Sequence, residues 1–570
     1  MDLKNRLFVL LPFIIAIFFG AGIFLGSKIN FTSNGNTQND KVFNFPKSNS
    51  SKLSDIINYI DNEYVDAVEK EALVDKAITT ILQELDPHSY YISAAEIKAL
   101  SEPLEGSFEG IGVQFSIQKD TVVVINPVNG GPSEKVGVMA GDRIVKVNKE
   151  LIAGNGISNR KVMNLLKGEK GTEVNIKVLR NTKDTIGFKI IRDKIPIYSL
   201  DVAYMLNENT GYIKLTGFTQ TASKELKDAY KSLKEEGMET MILDLRGNGG
   251  GLLNEAVNIV NFFVDKGQGV VSTKGKVKQW DRVHKALNEP LDKEIPLTIL
   301  IDEMSASASE IVSGALQDLD RAVVIGRKSF GKGLVQQTRS LSYNSKLKVT
   351  VAKYYIPSGR CIQKLDYSHK DEKGKAGEIP DSLKSEFKTS NGRIVFDGGG
   401  IEPDVKVDEE NFANITFSLL SKQLIFDYAS EFRAKKDSIK KPYEFEFTDE
   451  DYMAFKEFIK DKEYDYTTQT EKLLNDLKEA AEKEKVHTNF QDEFNALEAE
   501  LKQNKAGDVD KFKDEISRII ENEIISRYYY QSGRIESELK YDKDIAKALE
   551  LLKNKDQFES ILAGTFAKKD

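Results

Sequence analysis

Three serines stand at alternate positions in EMSASASEIVSG, residues 303–314, after the apolar run LTILID and before a helix-like run. Where a strand turns into a helix, the first backbone N–H groups of the helix are unpaired and the helix dipole is positive. An oxyanion formed beside such a serine would be stabilised. The same letters have a plainer meaning, because Ser307 with Glu310 spells S-x-x-E, a capping box. A nucleophilic serine also needs a base within hydrogen-bond reach. Histidine, the usual one, is scarce. His88 follows Asp86-Pro87 and reads as a turn residue, His284 lies in the polar stretch KQWDRVHKALNEP, and His369 and His487 sit in highly charged segments. No G-x-S-x-G elbow surrounds the serines, so a Ser-His-Asp hydrolase is disfavoured.

A lysine held neutral can replace histidine, and GRKSFGKGLVQQ offers Lys332 between Gly331 and Gly333. If Lys332 to Gln336 is extended, Lys332, Leu334 and Gln336 project to one face, and Gln336 could orient the amine. Gly326 to Lys332 also fits G-x-x-x-x-G-K, but glycine stands where a phosphate loop needs Ser or Thr, and no helix-like run follows. The third element is LDLRGNGGGLLNEA, residues 243–256, where a strand ends in glycines and restarts as a helix. The N–H groups of Gly250 and Gly251 can face a bound carbonyl there without side-chain obstruction, although a flexible turn would use the same letters.

These residues need elements to position them. Residues 52–103 carry apolar side chains at helical spacing, Ile56, Ile57, Ile60 and Tyr64, then Leu73, Ala77, Ile81 and Leu85, with Asp86-Pro87 as the stop. From about 104 to 182 short strands broken by glycine take over, with one helix-like run, NRKVMNLLKG. Between 183 and 407 strands alternate with helices, which argues for a βα-repeated core whose sheet need not be purely parallel. Residues 408–570 are rich in Lys and Glu, and Phe490, Phe494, Leu497 and Leu501 share a helical face, so this reads as an α-helical appendage. Thr448 with Asp451 resembles a capping box opening one of its helices. The expected class is a multidomain α/β protein.

Taken together, DLRGNGGG, SASASEI and FGKGLVQ, in this order, resemble the carboxyl-terminal processing (tail-specific) proteases. YVDAV…LDPHSYY is similar to that family's N-terminal helical segment, FEGIGVQF…GGPSEKVGVMAGDRIVKVN…LKGEKGTEVNIKVLR to its inserted PDZ domain, and YYIPSGRCIQ…GIEPDV to the end of its protease core. Residues 364–398 and the C-terminal helices lie outside the resemblance. It implies a serine endopeptidase that cuts proteins near their C-termini, with Ser307 as nucleophile, Lys332 as general base and Gln336 positioning it. It also implies an oxyanion hole from the N–H of Ala308 and of Gly250, with Gly251 the neighbouring choice. RGNGGG departs from the family, which often has bulkier residues after the arginine, and so does Cys361. The loop Gly110-Ile111-Gly112-Val113 can aim backbone N–H groups at a substrate's terminal carboxylate while the next strand pairs with the peptide. This needs no metal and no cofactor. A catalytically inactive PDZ adaptor, or a ligand-binding protein on the same fold, is the alternative.

Composition narrows location and partners. The chain has 570 residues and a formal charge of -8, with no basic stripe, so nucleic acid is not an expected partner. Leu7 to Gly26 holds no charged residue, and Lys4 and Arg6 precede it. About 20 such residues span a bilayer, and positive residues stay cytoplasmic. We therefore expect a short cytoplasmic tail (1–6), a membrane anchor or signal segment (7–26), a flexible tether (27–51) and a catalytic region outside the bacterial cytoplasmic membrane, in the periplasm or cell envelope. The single cysteine, Cys361, allows no internal disulfide. The expected partners are proteins or peptides with free C-termini; an adaptor protein and self-association remain open.

Overall fold

The computed structural model describes residues 51–94, 96–180 and 184–566. The apolar stretch Leu7–Gly26 and most of the tether lie outside the described residues. Among the described residues no helix is long and apolar enough to cross a membrane. The chain divides into two units after Ala77. The first contributes the helix Ser51–Glu63 and the opening turns of the helix Lys70–Gln83.

The second unit is built on a six-stranded sheet in the order Leu200–Met205, Thr210–Leu215, Thr240–Asp244, Leu297–Ile301, Val323–Gly326, Val405–Lys406. Its first pair is antiparallel and every later pair is parallel. Leu297–Ile301 is buried at all five positions, which explains its unbroken apolar sequence: a central parallel strand faces packing on both sides. One face carries the helices Ala222–Glu235, Leu253–Asn261 and Ala308–Asp318, packed over Ile213, Leu243, Ile299 and Val324.

The opposite face would be bare without the C-terminal region. Tyr212, Ile242, Leu300, Val323 and Ile325 on that face are covered by Ile535, Ile545, Ala548, Leu551, Phe558 and Ile561. The C-terminal region is therefore no mere appendage, since its last helices, Lys543–Lys553 and Lys555–Leu562, form the third layer of the core. Amphipathic spacing shows that a helix has a buried face but not which sheet buries it. Most of the remaining helices from Asn414 onward gather around a separate cluster that includes Ile425, Phe455 and Ile520, while Gln469–Lys483 and Gln491–Ala506 pack on each other through Leu474, Ala481 and Phe494. The capping box at Thr448 and Asp451 is formed. Leu551 is 1% exposed, so Leu551→Ala should lower stability by about 2–5 kcal/mol. Denaturant titration checks this, and a wild-type midpoint would show that the layer carries little stability.

The strand-rich segment forms its own six-stranded sheet around Val122, Ile144, Val174 and Ile176. Its last strand, Asp184–Ile191, pairs along its full length with Glu173–Arg180, so the domain continues past the boundary expected at 182. The entering strand Ser107–Gly110 and the leaving strand Asp193–Pro196 pair with each other as a neck. A third sheet centres on the long strand Lys346–Tyr355, which pairs with Tyr90–Ile92, Gly269–Gly275 and Leu334–Ser340, while Arg282–Lys285 pairs with Gly269–Gly275. The insert at 364–398 folds into two small hairpins, Leu365–Lys370 with Ala376–Glu378 and Glu386–Lys388 with Ile394–Phe396.

Candidate active site

Ser307 is the N-cap of Ala308–Asp318 and has φ +56° and ψ −109°. A non-glycine residue held there costs about 1–3 kcal/mol and needs its surroundings to enforce it. The strained strand-turn-helix geometry of a nucleophile elbow is thus present without the G-x-S-x-G letters. Room comes from across the site, where a Cβ on Gly250 (φ +100°) would lie 2.7 Å from Ala306 O and 2.9 Å from Ser307 Cβ. The capping box is present as well, but its firm half belongs to the carboxylate. Ser307 N–H donates to Glu310 Oε2 at 2.8 Å, while the serine hydroxyl makes no cap hydrogen bond of ordinary geometry.

The neighbouring serines are structural. Ser305 and Ser309 are fully buried, and their hydroxyls donate to Leu245 O and Asn248 O, each at 2.8 Å. Both therefore fasten the serine turn to the glycine loop. Within that loop, Gly250 N–H donates to Asn248 Oδ1 at 2.9 Å. Gly251, for its part, lines the groove that Ser307 and Ala308 also line. Beneath the loop, Arg246 pairs with buried Asp244 and reaches Asp542 and Asp544 of the C-terminal region.

Lys332 lines the same groove, a cavity of about 940 Å³ shared with Ser307, Gln336, His284 and Tyr354. Burial pulls its amine below the ordinary lysine range, and the charge of Lys348 adds to this, against the opposing pull of Glu310 and Asp86. The expected extended geometry is only partly realised. The strand starts at Leu334 and carries an irregularity between Val335 and Gln336, so simple alternation does not govern this stretch. Gln336 nevertheless lines the groove, where its Nε2 donates to Thr350 Oγ1 at 3.2 Å.

Two further residues join the serine and lysine segments. Glu310 is fully buried and accepts from Ser329 Oγ (2.6 Å), Gly331 N–H (2.7 Å), Ser307 N–H (2.8 Å) and Lys332 N–H (2.9 Å). Burial pushes its carboxyl up to about 7 against those four hydrogen bonds. Tyr354 OH donates to Lys332 O at 2.6 Å and lies 3.2 Å from Ser307 O. Glu310 was visible in the sequence as the fourth letter of a cap; nothing in the letters around Tyr354 marked it.

The histidines also move. His88 is half-buried close enough to Lys332 for that charge to help lower its pKa, after burial itself. Its turn is tied to the site: Ser89 Oγ donates to Asp86 Oδ2 at 3.0 Å and accepts from Thr350 N–H at 3.1 Å. His284 stands on a strand lining the groove, not in a polar loop. No hydrogen bond joins it to Ser307 among the described residues. His369 is exposed and bonded to Asp366. Gly326 to Lys332 runs from one strand to another with no helix following, so it is no phosphate loop.

In the smaller domain, Gly110 ends the neck strand, Val113 begins the next strand, and Ile111 and Gly112 lie between them. Ile111 O accepts from Ser133 Oγ at 2.7 Å, and Gly112 O accepts from Val128 N–H at 3.0 Å. The carbonyls of the loop are thus engaged. Its Ile111 and Gly112 N–H groups have no acceptor among the described residues.

With this geometry in view, the chain was compared with known proteins. Residues 209–368 match the model for peptidase family S41, residues 110–186 a PDZ domain, and residues 415–552 the model described as "Probable PDZ-protease, C-terminal helical domain". The carboxy-terminal-processing protease of Bartonella bacilliformis is 35% identical over 354 residues, covering 61% of this chain and 80% of that protein. The carboxy-terminal processing protease CtpA of Bacillus subtilis is 32% identical over 380 residues, covering 66% and 79%. Among solved structures, the photosystem II D1 C-terminal processing protease aligns with 28% identity and a TM-score of 0.36, covering 63% of this chain and 87% of its own.

Proposed function

This chain belongs to the carboxy-terminal processing proteases of peptidase family S41, and on that premise we propose that Ser307 is the nucleophile and neutral Lys332 its general base. The observation that carries this reading is the shared anchoring of the two residues: one buried carboxylate, Glu310, accepts the backbone N–H of both, and both line one groove. Lys332 takes the hydroxyl proton as Ser307 Oγ attacks the scissile carbonyl. The N–H groups of Ala308 and Gly251 receive the oxyanion at the positive end of the helix. Collapse of the tetrahedral intermediate releases the C-terminal fragment, whose amine takes the proton back from Lys332. Water, deprotonated by neutral Lys332, then attacks the ester, and Ser307 Oγ takes that proton back as the new carboxylate leaves. Gln336 and Thr350 fix the wall beside the lysine.

Substrate capture is assigned to the PDZ domain, with the free N–H groups of Ile111 and Gly112 holding the terminal carboxylate and the strand from Val113 pairing with the tail. Amidating the C-terminus of a peptide substrate removes that charge, so kcat/KM should fall about tenfold for the amide, chiefly through KM. Equal values for acid and amide, both abolished in Ser307→Ala, would remove tail capture while leaving the protease site intact.

Leu7–Gly26 is assigned as an uncleaved anchor that leaves the catalytic unit outside the cytoplasmic membrane, on the strength of its apolar length and the preceding Lys4 and Arg6. Protease added to intact spheroplasts should degrade the chain beyond the anchor. Protection until lysis would reverse the orientation.

A further inference from the structure

Cationic side chains predominate in the groove around Ser307. Besides Lys332, its lining includes Arg282, Lys346 and Lys348, while among the described residues the one carboxylate that lines it is Glu255. Glu255 is 9% exposed and already accepts Ser223 N–H at 2.8 Å and Asn258 Nδ2 at 3.3 Å. The whole chain has a formal charge of -8, so a basic groove runs against its composition.

Two of these cations, Lys348 and Arg282, are held by uncharged groups. Lys348 Nζ donates to Tyr90 OH at 3.3 Å and lies 5.2 Å from the centre of that ring. Arg282 Nε donates to Gln279 O at 3.2 Å. No carboxylate forms an ion pair with Arg282, Lys346 or Lys348 among the described residues. Lys346, Lys348, Ala352 and Tyr354 are alternate residues of one strand and all line the groove, so both lysines face the same side as the site. An extended peptide laid along this wall presents alternate side chains at a matching spacing.

We propose that the groove selects polypeptides with acidic side chains close to the scissile bond, and that Arg282, Lys346 and Lys348 are the residues that read them. This rests on the assignment of Ser307 as nucleophile. A carboxylate in the groove meets three cations that no carboxylate of the described residues neutralises, whereas a basic side chain meets uncompensated repulsion. Aspartate or glutamate near the bond and the free carboxylate at the substrate's end are separate anions, read by separate surfaces.

The test uses the full chain and two peptides, both C-terminally amidated so that the terminal carboxylate plays no part, differing only in glutamate against glutamine beside the scissile bond. At low ionic strength the glutamate peptide should show about a tenfold higher kcat/KM, and the advantage should shrink to about twofold in 0.5 M salt as screening shortens the reach of the charges. The double variant Arg282→Glu, Lys346→Glu should reverse the order and prefer a lysine peptide, while still cutting the glutamine peptide. Equal kcat/KM for both peptides in the wild type, or a preference untouched by the charge reversal, overturns the proposal. If both peptides are cut equally by the wild type and neither by Ser307→Ala, the charge reading fails alone. If the wild type cuts neither, the assignment of the site fails with it.

Discussion

Lys332→Arg should lower kcat/KM by about a thousandfold or more, as far as Ser307→Ala does, with the fold unchanged. The reason lies in what the site demands of the base. It must be neutral to take a proton, and an ordinary lysine with a pKa near about 10.4 is almost wholly protonated at neutral pH. Burial lowers the Lys332 amine, and the nearby Lys348 charge disfavours a second cation. Arginine keeps its charge in any such environment and so cannot act as base. The same experiment separates the three serines. Ser309→Ala breaks the bond to Asn248 O and should cost about 1 kcal/mol of stability; Ser305→Ala breaks the bond to Leu245 O and the contacts with Asp302 and should cost about 1–3 kcal/mol, and both should keep activity within about tenfold of wild type. Strong peptidase activity in Lys332→Arg, with Ser307→Ala inactive, would show that another group serves the serine.

Glu310→Gln should be the most damaging change among residues that never touch substrate. All four partners of the carboxylate are donors, from Ser307, Ser329, Gly331 and Lys332. Glutamine turns an N–H2 group toward some of them, leaving buried donors unpaired and pushing the serine and lysine segments apart. We expect kcat to fall about a hundredfold with KM changed less than about threefold, and stability to fall by about 1–3 kcal/mol. The carboxyl also sets a pH dependence. Its folded pKa, raised by burial to about 7 from an ordinary 4.5, means the folded protein holds this proton where the unfolded chain has lost it. Stability from this group is therefore full below about pH 4.5 and falls as pH rises to about 7, by about 3 kcal/mol, with no further loss above. Denaturant midpoints measured from pH 4.5 to 8 should show that decline in the wild type and not in Glu310→Gln. An unchanged decline in the variant would assign it to other groups.

The sequence displayed the chemistry more fully than the architecture. Small residues, a helix start and a glycine-flanked lysine made Ser307 and Lys332 candidates, and glycine turns punctuating short strands marked the strand-rich segment; the roles and the PDZ reading came from the family resemblance. Glu310 was legible only as a cap, since S-x-x-E does not reveal that a second segment, Ser329 to Lys332, closes over the same carboxylate. The resemblance put Gly250 first and Gly251 beside it; in the structure the Asn248 side chain occupies the Gly250 N–H, which the letters do not show. His284 was placed in a loop because alternating polar residues in Arg282–Lys285 mimic one, although they form an edge strand with one side on the groove. The third layer, from Ile535 to Ile561, was hidden for a geometric reason. Its helices pack on a sheet more than two hundred residues earlier in the chain, and helical periodicity carries no address.

The most direct test of the dyad is the pH dependence of kcat/KM for a neutral, C-terminally amidated peptide, measured from about pH 5 to 10 in the wild type and in His284→Gln and His88→Gln. Activity should rise with pH as Lys332 loses its proton, along a limb whose midpoint lies below the value of about 10.4 for free lysine and is the same in all three proteins. A limb lying below the ordinary histidine range, where burial puts both imidazoles, that disappears with either substitution would transfer the base to that imidazole and contradict the account.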